Sequence, residues 1–383
     1  MSELIATTNR KNLRWQLLTT VSAASLAVSL AATSRAAAEE GRPTIWVELG
    51  GQLEAVGGNE DRYGPAFTIA NLSKPLNAIS PLSAQRPPHF SFGGEGKLLL
   101  EPAGTDWIFS VGVRYGRSNG IKSLHQQTSF QSVQKTLKYG VTNLLNGHIS
   151  HNFVTRTRTR FNDTSIKYTE SHAIVDFMAG KDVGLGAFGR GSSSVVGLGV
   201  RFAQFHTNSQ SVFRSQPDPH FPTKAATVAN AGYHRISYYA SGNFTRAFRG
   251  IGPALSWEAS APVLGRADSS EVTFDWGINA AALFGRQKVR GNHETTGQYF
   301  RGYRGTVTTR YIETKPVSRS RTVFVPNVGG FAGISVRKAN AKISLGYRAD
   351  FFFNAMDQGV DTHQSGTRGF YGPFATVSLG LGG

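Results

Sequence analysis

The sequence contains no cysteine, which excludes a disulfide framework, a thiolate-held metal and a nucleophilic thiol. It is also poor in charge. Asp, Glu, Lys and Arg together make up 17% of its 383 residues, against about a quarter in an ordinary soluble domain. Acidic residues are scarcest, 24 against 41 Lys and Arg, so the formal charge is +17. Long apolar runs are missing as well. Beyond residue 40 none reaches the ~20 residues that a spanning helix needs. Together these absences exclude a disulfide scaffold and a helical membrane bundle. The low charge also argues against a disordered chain.

Glycine and aromatic residues are abundant instead: 44 Gly, 25 Phe, 12 Tyr and 5 Trp. The first 38 residues have the layout of a cleaved export signal. Arg10, Lys11 and Arg14 precede a mostly apolar stretch, Leu17 to Ala32, and Ala36-Ala37-Ala38 supplies small residues for cleavage. Removing residues 1–38 takes away four basic residues and one acid and leaves +14. Residues 39–383 then read as one domain. An exported chain without a spanning helix is periplasmic, secreted or an outer-membrane barrel, and a barrel hides its membrane character because only alternate residues face lipid.

Period-2 alternation is strong. Trp107, Phe109, Val111, Val113 and Tyr115 fall on one face, opposed by Ile108, Ser110, Gly112, Arg114 and Gly116. Similar runs occupy 45–55, 90–101, 172–180, 195–205, 251–261, 271–285, 324–336, 341–354 and 370–381. This spacing predicts ten strands. Short connections at 102–105, 181–194, 262–271 and 337–340 alternate with long ones at 56–89, 117–170, 207–250, 287–321 and 356–369. The pattern predicts an all-β fold, a transmembrane antiparallel up-and-down β-barrel with short periplasmic turns and long extracellular loops. Residues 147–170 and 232–245 are also β-prone. They either extend hairpins beyond the membrane or raise the strand number to twelve.

The faces assigned to the lumen carry Glu48, Glu54, Glu95, Lys97, Glu101, Arg114, Asp176, Arg201, Glu258, Glu271, Asp275, Lys342, Arg348 and Asp350, a mixed interior that tends acidic. Opposite charges such as Asp350 or Glu271 with Arg114 or Arg201 would pair there and plug it. The basic excess lies in 117–170 and 286–321. Arg156, Arg158 and Arg160 form an RTRTR segment in the first of these, suited to clamping lipopolysaccharide phosphates with guanidinium forks. An exported barrel gives no reason to expect nucleic acid as a partner, despite the basic charge.

Motifs for chemistry fail on inspection. Gly184 to Gly189 spells GxGxxG but leads into Arg190-Gly191-Ser192 and a strand rather than a helix. From Gly186 to Gly191 the spacing suits a phosphate loop, yet Ser192 stands where Lys is required. His293-Glu294 begins an HExxH motif that Gly297 breaks, and His148 and His151 lie in a β-prone stretch. No catalytic group, metal or cofactor is expected.

Four blocks carry the barrel pattern in a distinctive order: Gly93–Tyr115, His172–Ala203, Arg249–Phe284 with its Gly250-Ile251-Gly252-Pro253 start, and Phe324–Phe352. Their order and spacing resemble the Legionella-type major outer membrane protein family. That resemblance implies a pore-forming barrel of the Gram-negative envelope, passing small hydrophilic solutes with weak selectivity. The alternative is a non-conducting structural or surface-interaction barrel. Such barrels are inserted by the barrel-assembly machinery and usually end in an aromatic residue, whereas this sequence ends Leu379-Gly380-Leu381-Gly382-Gly383.

Overall fold

The computed structural model describes residues 44–58, 90–137, 151–183, 193–216, 234–266, 270–301 and 306–381. Ten strands run in chain order: β1 (Thr44–Gly58), β2 (Phe90–Glu101), β3 (Trp107–Leu137), β4 (His151–Asp182), β5 (Ser193–Gln216), β6 (His234–Arg266), β7 (Ser270–Arg301), β8 (Thr306–Lys338), β9 (Ala341–Asp357) and β10 (Ser365–Leu381). Each pairs antiparallel with its chain neighbours, and β10 pairs with β1 from Ile45↔Leu381 to Gly58↔Arg368, which closes the barrel. Every ladder is thereby satisfied without a sheet edge through the closed part. The closed barrel of the described residues has ten strands, not twelve.

One end has tight connections. Between β2 and β3 the turn is held by Thr105, whose amide donates to the Pro102 carbonyl at 3.3 Å, with Gly104 at φ +70°. Ala339 and Asn340 alone join β8 to β9, Ala339 at φ +49°. Both described chain ends lie at this turn end.

The opposite end departs from the loops expected there. Most of 117–170, 207–250 and 287–321 is strand. The β3–β4 ladder runs from Trp107↔Lys181 to Leu137↔His151, β5–β6 reaches Ser215↔Tyr238, and β7–β8 continues to Arg301↔Thr306. Apolar alternation fades there because the outward face turns polar, while Thr-rich runs keep their preference for extended backbone and inward positions still bury Ile166, Phe213, Phe244 and Val289. Strands of 31–33 residues reach ~100 Å, far beyond the 9–11 residues that cross a bilayer. Residues 1–38, 59–89 and the GxGxxG stretch lie outside the described residues.

Outward positions form an apolar belt right round the barrel. It includes Leu49, Phe92, Leu98, Phe109, Val113, Phe177, Leu198, Leu255, Ile278, Ile334, Leu345 and Val377, all exposed. On β7 it runs from Phe274 to Phe284, ~34 Å along the strand and, at a tilt of ~40°, ~26 Å along the axis. A continuous belt of this size is untenable in water and matches the apolar band of a membrane barrel. The packed core is therefore inside the barrel.

Candidate functional site

The lumen is layered, and each layer follows from inward positions on successive strands. Nearest the turn end, Asp275 on β7 gathers donors. Lys342 Nζ is 2.6 Å away, and Ser260 and Thr273 donate at 2.6 and 3.0 Å. Ser335 also donates to it and further contacts Ser344. Glu48 accepts from Ser378 at 2.9 Å.

Next come ion pairs that cross the lumen. Lys97 on β2 reaches Glu258 on β6 at 3.1 Å, four strands away round the barrel. Arg114 on β3 bonds Asp350 on β9, and Arg348 on β9 bonds Glu95 on β2. Arg201 on β5 makes a fork on Asp176, with Nε to Oδ1 at 2.6 Å and Nη2 to Oδ2 at 3.0 Å. Its Nη1 donates to Asn279 at 2.6 Å and to Asn327. The Arg348 guanidinium also lies 4.7 Å over the Phe374 ring. Charges taken out of water need this degree of pairing.

Above the charges lies an apolar layer. Phe205 (β5), Phe248 (β6), Leu283 (β7), Val325 (β8), Phe352 (β9) and Phe370 (β10) pack in one cluster with Ile174 and Met356. Phe205 meets Phe352 edge-on at 4.7 Å and Phe370 at 5.4 Å. His172 lies 4.0 Å from the Phe370 ring and 3.2 Å from Glu54, and Ser91 donates to Glu54 at 3.1 Å.

A short segment, 358–364 between β9 and β10, lies against the inner wall at the hairpin end. Val360 packs with Phe244, Val289 and Val317. Arg319 on β8 donates to Asp357 at 3.1 Å and to the carbonyls of Val360 and Gly359 at 2.6 and 3.0 Å. His293 is 2.8 Å from Asp361, and Lys315 is 3.6 Å from it. Burial raises the Asp361 pKa, but the His293 contact and the Lys315 charge outweigh this and hold it below the ordinary value. His293, taken from the broken HExxH, thus serves as a strap contact. The long connection expected at 356–369 is shorter and seated inside. Among the described residues no cluster of ligating side chains could hold a metal.

Below the apolar layer lies one cavity of about 300 Å³. Glu95, Lys97, Arg114, Asp176, Arg201, Glu258, Asp275, Lys342 and Arg348 line it, and Asp350 joins through Arg114. Glu271 shares the inward parity of β7 but does not line it. Arg156, Arg158 and Arg160 sit on β4 rather than in a loop, paired by register with Ser132, Phe130 and Thr128; their side chains lie outside the described residues. Alternation puts these charged residues on inward positions. It missed the apolar layer, although a signal exists: Phe351-Phe352-Phe353, Phe370-Tyr371 and Leu283-Phe284 put apolar residues at adjacent positions, and in a strand one of each pair must face inward.

No family model matches the chain, and no curated protein does. Several solved structures align along most of its length. The transport unit of the autotransporter AIDA-I from Escherichia coli shares 7% identity over 91% of each chain, with a TM-score of 0.23. The P. putida toluene transporter TodX shares 9% identity over 90% of this chain and 91% of its own, at 0.17. Pseudomonas aeruginosa OccK9 shares 8% over 88% and 98%, at 0.14. Likeness this low bears no weight on function, which has to be read from the barrel's own geometry.

Proposed function

We propose that this chain is an outer-membrane barrel whose lumen is shut at rest. Its role is to anchor three long hairpins, β3–β4, β5–β6 and β7–β8, at the cell surface rather than to hold a standing pore. The apolar layer carries this reading. Phe205, Phe248 and Phe352 are fully buried, and they come from strands spread round the barrel, so the seal belongs to the wall itself. Ten strands suit such a filling, since eight leave an interior just filled by side chains and sixteen leave an aqueous channel. The ~26 Å belt and the export pattern of residues 1–38 support the outer membrane as its location, with insertion by the barrel-assembly machinery. No catalytic role or cofactor is assigned.

A second reading has the cavity in its favour. A polar chamber lined by nearly balanced charge suits a weakly selective pore for small hydrophilic solutes, and the resemblance to the Legionella-type family supports it. Passage would require the apolar layer to part. Swelling of proteoliposomes in sugars of graded size separates the two. Insertion, verified by heat-modifiable migration, without swelling is the result expected. Swelling that falls off with sugar size would establish the pore instead.

A further inference from the structure

The outward face of β6 and β7 changes character within one step. Ile251, Phe284 and Phe324 lie side by side on β6, β7 and β8, since Ile251↔Phe284 and Phe284↔Phe324 are register partners. Phe284 is 61% and Phe324 52% exposed, with their rings 5.3 Å apart. The next outward row, ~6.8 Å further along the strands, is Arg249↔Arg286↔Thr322. Above it come Ala247↔Lys288↔Ser320 and Thr245↔Arg290↔Ser318. Arg249, Arg286, Lys288 and Arg290 are all exposed.

Two arginines directly opposed across a ladder repel each other, and here nothing nearby offsets them. Among the described residues, Arg286 donates to the Ser320 hydroxyl, and no carboxylate forms an ion pair with any of the four. The nearest acid on the same face of β7 is Glu294, four residues beyond Arg290. On β5, His206 faces Ala247. Desolvation, with the nearby charge of Arg249 second, holds its pKa below the ordinary value. Small neighbours (Ala247, Thr245, Ser318, Ser320, Thr322) leave a flat floor around the cations.

We propose that Arg249, Arg286, Lys288 and Arg290 bind the phosphate groups of an anionic lipid in the outer leaflet, whose acyl chains lie on Ile251, Phe284 and Phe324. The inference rests on the outer-membrane reading above. A soluble partner would not need cations placed one step above an exposed apolar row; a lipid needs both, the phosphate at headgroup level and the chains below it. Guanidinium forks suit phosphate oxygens. The site differs from Arg156, Arg158 and Arg160, which lie at least fifteen residues of β4 beyond its belt position Val175, ~50 Å along the strand.

The test uses the whole barrel refolded in detergent, with bisphosphorylated lipid A as the probe and native mass spectrometry as the readout. The R249S/R286S/K288S variant is compared with wild type, and K181S/K338S, at the turn end, is the control. Heat-modifiable migration confirms that each is folded. Wild type and control should bind lipid A about tenfold more tightly than the triple variant. Lipid A stripped of its phosphates should not distinguish them, and millimolar inorganic phosphate should not displace the lipid. Equal affinity for wild type and triple variant would overturn the site, and displacement by inorganic phosphate would reduce it to a free-anion site. A barrel that stays monodisperse in water without detergent would instead sink the membrane reading beneath it.

Discussion

Phe205 on β5 meets Phe352 on β9 edge-on, ring centroids 4.7 Å apart, across four strands of the barrel wall. Both side chains are fully buried. A contact that reaches between two walls narrows the bore at that level, and the proposal of a shut lumen rests on it.

Substituting either ring should therefore loosen and unseal the barrel. Phe205→Ala and Phe352→Ala should each cost ~3–5 kcal/mol, and the double variant less than their sum because the rings touch. Urea titration followed by heat-modifiable migration reads the stability. Ion leakage through vesicles should appear in the double variant. Additive costs together with a tight double variant would mean that the two rings do not share a seal.

Arg201 is the hub of the charged layer. Arg201→Met removes the fork on Asp176 and leaves Asp350 with Arg114 as its bonded partner, and should destabilise the barrel by ~3–5 kcal/mol. Adding Asp176→Asn should recover part of that loss, because a neutral amide tolerates burial where an unpaired carboxylate does not. If the double variant is no more stable than Arg201→Met alone, water rather than Arg201 solvates Asp176.

The belt makes a prediction that water and lipid answer differently. Ile278 is half-exposed near the middle of the outward run on β7. Ile278→Arg should cost ~2–4 kcal/mol for a barrel folded in phospholipid vesicles. A barrel living in water would lose nothing and gain solubility.

Acid should free the inner segment 358–364. The Asp361 carboxyl, held below its ordinary value by His293 and Lys315, contributes to the strap above the ordinary carboxylate range. That contribution is lost as pH falls through its lowered value, beneath the ordinary carboxylate range. Protection of amides 358–364, taken relative to the intrinsic exchange rate at each pH, should stay high at neutral pH and fall in strong acid, and Asp361→Asn should flatten the response. Uniform protection down to the acid limit would assign the strap to Arg319 and Asp357 alone.

Much of this fold is legible in the sequence because a membrane barrel writes itself as alternation. β2 spans Phe90–Glu101 as expected, and β3 and β9 begin at Trp107 and Ala341, where apolar-out and polar-in residues start to take turns. The inward charges could be read for the same reason. Alternation says which face a residue occupies but not what lies opposite. Lys97 and Glu258 are 161 positions apart, and only closure of the sheet brings them together. The hairpin extensions escaped because no lipid stands outside them to demand apolar residues. The Phe205–Phe352 layer escaped because apolar residues facing inward look, in one dimension, like a lapse in the pattern.

Single-channel recording from the refolded barrel in a planar bilayer tests the central claim most directly. With insertion verified in the same preparation, the wild-type protein should give a flat trace, while the Phe205→Ala, Phe352→Ala double variant gives discrete steps. Stable steps from the wild-type barrel would contradict the account and make the charged cavity part of an open pore.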